Sequence, residues 1–285
     1  MRIKAFVGLL LIVIMITCLE SRCRAEAAVK QPVYYKNKVI VLMYHHIDRK
    51  ERGATISPER FGAQMLILKD HNYHVISIEQ FADFMQNKAK VPSNAVVITF
   101  DDGYDSFERY AVPILKKYHF TATHFIVGAS SDKQNAHTRH LNWYTMRKLK
   151  AEGFSFYSHT YNQHDYVQLD RRGHKKGAKL SNPIYLPDKW RVETREEYQA
   201  RVIEDALLME QRLKTELGNT YQMFAFPYGV FTPRSKQLVK KAGVTLFFTT
   251  RPGINKPGYD EVFRLNAGTP TLTGSKFLRM LQKYR

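Results

Sequence analysis

Between Ala95 and Tyr104 the chain reads AVVITFDDGY: an unbroken apolar run meets two adjacent carboxylates and a glycine. A short β-branched run without polar alternation fits a strand covered on both faces, as in a parallel α/β sheet. That constrains the rest of the chain, because parallel neighbours need crossover connections and helices must cover both faces. Such sheets collect ligands beyond the carboxyl ends of their strands, and Asp101 and Asp102 stand at such an end. Successive side chains there point in different directions, so one carboxylate can take a metal ion while the other stays free as a base. Alone, the Asp-Asp-Gly reads first as a turn after a strand.

The flanking sequence supplies the partners that such a strand needs. Further strands are expected at residues 38–43, 75–77, 120–127, 154–158, 223–226, 244–249 and 262–265. Between them, Pro58 opens a helix, Ser77 and Gln80 form a capping box, and residues 105–118 read as a helix kinked at Pro113. Residues 143–152 form a helix that Gly153 ends. The clearest helix starts at Thr194 with Glu197, buries Tyr198, Val202, Ala206, Met209, Leu213 and Leu217, and stops at Gly218. Another spans 234–242. Residues 165–192 show no periodicity and read as a long loop insertion. Strand and helix alternate with no internal repeat and no linker. The expectation is a single α/β domain from residue 28 to 285, built on a parallel, barrel-like sheet.

The 285 residues suffice for one such domain with a substantial core. Residues 1–27 have the order of a secretory signal: Arg2 and Lys4, an apolar run from Ala5 to Leu19, then Ala25-Glu26-Ala27. The run falls short of the ~20 residues that span a bilayer, so cleavage is expected over a permanent anchor. Both cysteines, Cys18 and Cys23, lie in this segment. The mature chain therefore has no disulfide, thiolate metal site or cysteine nucleophile. Net charge is +18, of which +16 lies beyond residue 27. This favours an anionic partner, and export makes a cell wall or membrane surface the expected one rather than nucleic acid. The densest basic stretch, Arg171 to Lys179, reads as a solvated loop.

Four expected strand ends carry unusual polar residues: His45 and His46, Asp101 and Asp102, His159 to His164, and Pro227-Tyr228-Gly229. A barrel of parallel strands brings such ends to one face. His159 and His164, five apart, would not share a face of a helix, but on a loop after a strand they can meet. Two neutral imidazoles and one carboxylate make an open site for zinc or another divalent ion.

In this order, Thr99-Phe-Asp-Asp-Gly-Tyr104, Ser158-His-Thr with His164, and Phe226-Pro-Tyr-Gly229 resemble the polysaccharide deacetylases of the NodB-homology class, carbohydrate esterase family four. The resemblance runs from about Val39 to Asn266 and includes Tyr44-His-His46 and Thr123-His-Phe-Ile-Val127. It implies a distorted (β/α) barrel that removes acetyl groups from N-acetylated sugars, or in some members from xylan, with a divalent ion, often zinc. By position, Asp102, His159 and His164 match the metal ligands and Asp101 the catalytic base. Tyr228 matches the residue whose backbone N–H binds the oxyanion. Tyr104 and Pro227 fall inside the matched motifs and are expected near the substrate.

Two departures stand out. Many members space their histidines four apart with proline next; here the spacing is five and Asp165 follows. Many also carry an arginine before the Pro-Tyr-Gly and a late acid histidine; here Ala225-Phe226 precede it and no histidine follows His174. Both departures resemble the branch that deacetylates poly-β-1,6-N-acetylglucosamine. There an early Tyr-His motif supplies the acid, which points to His45, with His46 as runner-up or substrate neighbour. The implied enzyme is a monomeric, secreted or surface-associated N-deacetylase using Zn2+, Co2+ or Ni2+. Peptidoglycan, chitin oligomers and acetyl-xylan remain alternative substrates, and a non-catalytic sugar-binding relative the alternative class.

Overall fold

The computed structural model describes residues 32–133 and 138–284. Residues 1–27, with both cysteines, lie outside the described residues. Strand β1 (Val39–Tyr44) leads to β2 (His46–Ile47), which pairs with β3 (Thr55–Ile56). Ser57 caps α1 (Pro58–Asp70) by accepting from the Arg60 N–H. Then come β4 (His74–Val75) and α2 (Ile78–Met85), which has the expected Ser77–Gln80 capping box. The central strand forms as β5 (Ala95–Phe100), with all six residues buried.

The expected kinked helix after it has a different start. One π-helical turn, Phe107–Ala111, precedes α3 (Val112–Lys117). Pro113 falls in the first turn of α3, directly after that π-helical turn. Next are β6 (Thr123–Ile126), α4 (Gly128–Lys133), α5 (Trp143–Ala151) and β7 (Ser155–Ser158).

The insertion at 165–192 is not a plain loop. It folds into two antiparallel ribbons, β8 (Tyr166–Gln168) with β9 (Lys176–Ala178), and β10 (Tyr185–Leu186) with β11 (Arg191–Val192). These strands are two or three residues long, too short for alternation to show in sequence. The basic stretch is partly tied down, since the Arg171 guanidinium stacks over Trp190 at 4.9 Å.

Helix α6 (Arg195–Leu217) has its capping box and the six expected residues buried, and it ends at Gly218 in the left-handed region. The chain finishes through β12 (Met223–Ala225), α7 (Pro233–Lys240), β13 (Leu246–Phe248), β14 (Glu261–Val262), β15 (Leu265–Asn266) and α8 (Gly274–Gln282). Sequence reading missed α8, whose short apolar stripe is Phe277 and Leu281, both fully buried.

All pairs in the main sheet are parallel, in the order β14-β13-β12-β7-β6-β5-β1-β15, with β4 also on β5. Strands β14 and β15 lie at opposite ends of this order, yet only Phe263 and Arg264 separate them in the chain. The sheet therefore curls into a barrel, and that dipeptide crosses its seam. Alternation along the strands directs apolar side chains to both faces of the sheet. Val39, Val41, Val97, Phe125, Tyr157, Ala225 and Phe248 pack with Phe81 and Phe84 of α2. Ile40, Leu42, Ile98, Phe100 and Phe156 pack with helices on the other face, including Met209 and Leu213 of α6.

Leu213 is fully buried. Replacing it with Ala is expected to lower stability by about 2–5 kcal/mol through lost transfer energy and a cavity. Urea unfolding measures this, with the slope unchanged and the midpoint shifted.

Candidate active site

The expected strand ends converge on one face of the sheet. After β5 the backbone turns sharply, with Asp102 at φ 76° and Gly103 at φ 88°. Buried His124 braces the turn, its Nε2 accepting from the Gly103 N–H at 2.9 Å. Burial lowers the pKa of His124 to about 4, so the ring is neutral and can accept.

The turn sends the two carboxylates to different partners. Asp102 Oδ1 lies 3.1 Å from His164 Nε2 and 3.4 Å from His159 Nε2. Ligand atoms of these three residues all lie within 4.8 Å of one another. His159 Nδ1 is 2.8 Å from the Ala225 carbonyl, which can only accept, so Nδ1 carries the proton. With neutral imidazole, two acceptors then face each other at His159 Nε2 and Asp102 Oδ1. That arrangement calls for a cation between them, and the set suits an open divalent site with three protein ligands. Burial opposes charge on Asp102, yet the His159 and His164 side chains beside it hold its pKa well below the usual carboxylate range. Burial likewise opposes charge on His164, and Asp102 outweighs it, raising that pKa.

Asp101 is gripped by a residue that sequence reading missed. Arg264, fully buried, crosses the barrel seam and donates from Nη1 to Oδ1 at 2.7 Å and from Nη2 to Oδ2 at 2.8 Å. Its Nε donates to the Thr249 carbonyl at 2.9 Å. Burial again opposes charge on Asp101, but Arg264, His159 and His45 bring its pKa below the ordinary value. His45 Nε2 stands 3.9 Å from Asp101 Oδ2. The sequence signal for Arg264 is slight: one arginine amid apolar residues, just before a two-residue strand.

The loop carrying His159 and His164 is also held from a distance. Asp205 of α6 accepts from the N–H groups of Tyr161 (3.0 Å) and Asn162 (2.7 Å). One turn earlier, Arg201 donates to the Gln163 side chain and to the carbonyls of Lys179 (3.1 Å) and Asn182 (3.0 Å). Residues four apart share a helix face, so one polar stripe fixes both the histidine loop and the base of the insertion.

Other expected residues form the rim. Tyr228 sits at φ 58° in the turn after β12, and its N–H has no protein acceptor among the described residues. Its ring is 4.5 Å from that of His164. Gly229 follows at φ 69°, and a Cβ there would meet Thr250 Oγ1 at 2.0 Å, so only glycine fits. Pro227 is buried and starts this turn. On the other flank, His46 meets the Tyr104 ring edge-on at 4.9 Å, and His140 lies 5.1 Å from the same ring. Burial lowers the His46 pKa. Burial and neighbouring Asp102 push up that of Tyr104.

Breaking the Asp101–Arg264 pair leaves an uncompensated buried charge. Arg264→Met is expected to lower stability at neutral pH by about 3–5 kcal/mol. In the wild type, Asp101 has a folded pKa below its unfolded one, so its contribution is full above the unfolded pKa and fades as pH falls through the folded one. Without Arg264, burial is opposed only by His159 and His45, the folded pKa rises, and protonation relieves the variant. Denaturation at falling pH should therefore show the gap between the two proteins narrowing.

Residues 88–247 match the family model for polysaccharide deacetylase. The chain is similar to the poly-β-1,6-N-acetyl-D-glucosamine N-deacetylase of Escherichia coli strain K12, 27% identical over 93% of this chain and 43% of that protein. It is also similar to the enzyme of that name from Staphylococcus aureus strain MSSA476, 24% identical over 89% of this chain and 87% of that one. The chain thus spans less than half the length of the E. coli relative. Among solved structures, a de-N-acetylase from Aggregatibacter actinomycetemcomitans superposes with a TM-score of 0.77 at 27% identity, covering 85% of this chain and 99% of the other. IcaB from Ammonifex degensii gives 0.71 at 25% identity, covering 86% and 97%. With more than half its length matched by the family model and its curled parallel sheet shared with these structures, the chain belongs to the polysaccharide deacetylase family.

Proposed function

We propose that this protein is a metal-dependent hydrolase that removes N-acetyl groups from an N-acetylglucosamine polysaccharide, with poly-β-1,6-N-acetylglucosamine as substrate. The observation behind this reading is the division of labour at one strand end. Asp102 joins two imidazoles, while Asp101, its neighbour, is held by Arg264 with His45 beside it. The relatives named as acting on this polymer support the choice of substrate.

Asp102, His159 and His164 would hold the ion, for which Zn2+ is proposed, with Co2+ or Ni2+ as substitutes. When bound, it polarises the acetyl carbonyl and makes water a better nucleophile. Asp101 takes the proton from the attacking water, its two oxygens aimed by the Arg264 fork. The free Tyr228 N–H donates to the oxyanion as it forms. His45, 3.9 Å from Asp101, gives a proton to the departing amine. The amide C–N bond breaks, and acetate and a free glucosamine unit leave. Tyr104 and His46 line the approach.

Export by the segment at residues 1–27 is part of the proposal, as is attraction of the basic chain to an anionic surface. No helix among the described residues is long and apolar enough to cross a membrane.

The test is acetate release from oligomers of β-1,6-linked N-acetylglucosamine, chitin, peptidoglycan and acetyl-xylan, with chelator or with added zinc, cobalt or nickel. The β-1,6-linked substrate should give the fastest release, and chelator should abolish it. Asp101→Asn should retain metal and lose about 10²–10⁴ in turnover. His159→Ala or His164→Ala should lose the metal itself. His45→Ala should keep metal, slow turnover and flatten the alkaline limb of the pH–rate profile. Equal release with and without chelator would overturn the reading.

A further inference from the structure

The candidate site is flanked by aromatic rings that the reaction does not use. Tyr166, the first residue of β8, is 55% exposed. Its ring meets that of Tyr228 edge-on at 4.8 Å, and Tyr228 in turn lies 4.5 Å from His164. A continuous row of rings therefore runs outward from a candidate metal ligand to the surface. The Tyr166 hydroxyl has no hydrogen-bond partner among the described residues. Packing against Tyr228 covers part of the ring and leaves most of it bare.

The ring stands on a fixed support. Tyr166 pairs with Ala178, which is buried, and the Lys179 N–H donates to the Asp165 carbonyl at 2.9 Å. Arg201 of α6 then holds the Lys179 carbonyl. A preset aromatic surface binds with little loss of freedom, since tyrosine offers a large rigid area over two rotatable bonds.

The opposite flank is open as well. His46 and Tyr104, with Asp48, Lys50, Arg52 and Thr55, line a cavity of about 500 Å³. Sheet order puts Tyr228, after β12, and His46, after β1, on either side of β7 and β5, whose ends carry the candidate metal ligands, with Tyr104 beside Asp102 after β5. A linear chain lying across the site would run from that cavity, past Asp102, His159 and His164, to Tyr166. A pyranose ring has an apolar face of C–H groups and a polar rim of hydroxyls. An exposed aromatic ring with a free hydroxyl at its edge suits both.

We infer that Tyr166 forms a binding subsite for the sugar residue flanking the one that loses acetyl, so that the protein grips a chain rather than a single sugar. This inference rests on the proposed polysaccharide substrate. It assigns to the insertion a part in binding that no expectation from sequence gave it.

The test measures binding of two-sugar and five-sugar β-1,6-N-acetylglucosamine oligomers to the full chain by calorimetry, with turnover in parallel. Wild type should bind the longer oligomer more tightly. In Tyr166→Ala that gain should shrink about tenfold and appear in KM rather than kcat, while Tyr166→Phe should keep most of it. Unfolding curves and zinc content establish that each variant is folded with its metal site whole. An unchanged gain in Tyr166→Ala would overturn the subsite, as would a Tyr166→Phe variant as weak as the alanine one. Binding without turnover in wild type would instead overturn the proposed reaction and leave the subsite standing. Absence of any length preference in wild type would overturn the subsite while acetate release continued to support the reaction.

Discussion

The ion pair between Asp101 and Arg264 joins the fold to the site. Burying both charges carries a large desolvation penalty, which good geometry and extra hydrogen bonds must offset. Here the guanidinium makes two parallel bonds to the carboxylate, a third to the Thr249 carbonyl, and lies 3.4 Å from Thr99 Oγ1. Arg264 can do this because it occupies the dipeptide that crosses from β14 to β15. The seam of the barrel and the orientation of the proposed base are thus one feature. A sheet that failed to curl would separate Asp101 from Arg264.

The second dependence runs through helix α6. Its apolar face packs the core through Met209, Leu213 and neighbours, as amphipathic periodicity requires. Its polar face is equally committed. Asp205 gathers the backbone N–H groups of the histidine loop, and Arg201 holds that loop and the root of the insertion together. Backbone donors in a loop need partners once they are covered. Supplying them from a long, well-packed helix ties the loop to that helix. The five-residue spacing of His159 and His164 is accommodated there, with Thr160 at φ 78° between them.

Excess positive charge finds only partial structural expression. Several basic side chains sit in local pairs, such as Arg191 and Lys189 with Glu197, and exposed pairs of this kind add little stability. Arg171 is stacked on Trp190 instead. The insertion is therefore ordered, with Tyr166 against Tyr228 and Arg171 over Trp190.

The sequence by itself determined the strand that ends in Asp101 and Asp102, the caps and buried stripe of α6, and the ends where polar residues gather. These are local: an apolar run, a capping box and a 3.6-residue period are all written in neighbouring residues. The resemblance carried by three short motifs added the family, and the family model bears it out. The short strands β8 to β11, the π-helical turn and α8 escaped because a few residues carry no period, or because packing chose among near-equal local states. Only the tertiary structure decided that Arg264, 163 residues from Asp101 in the chain, would hold it. It also brought Asp205 to the histidine loop and Tyr166 to Tyr228. Such pairings depend on the curl of the sheet and the direction of single side chains, and no local pattern in the sequence encodes either.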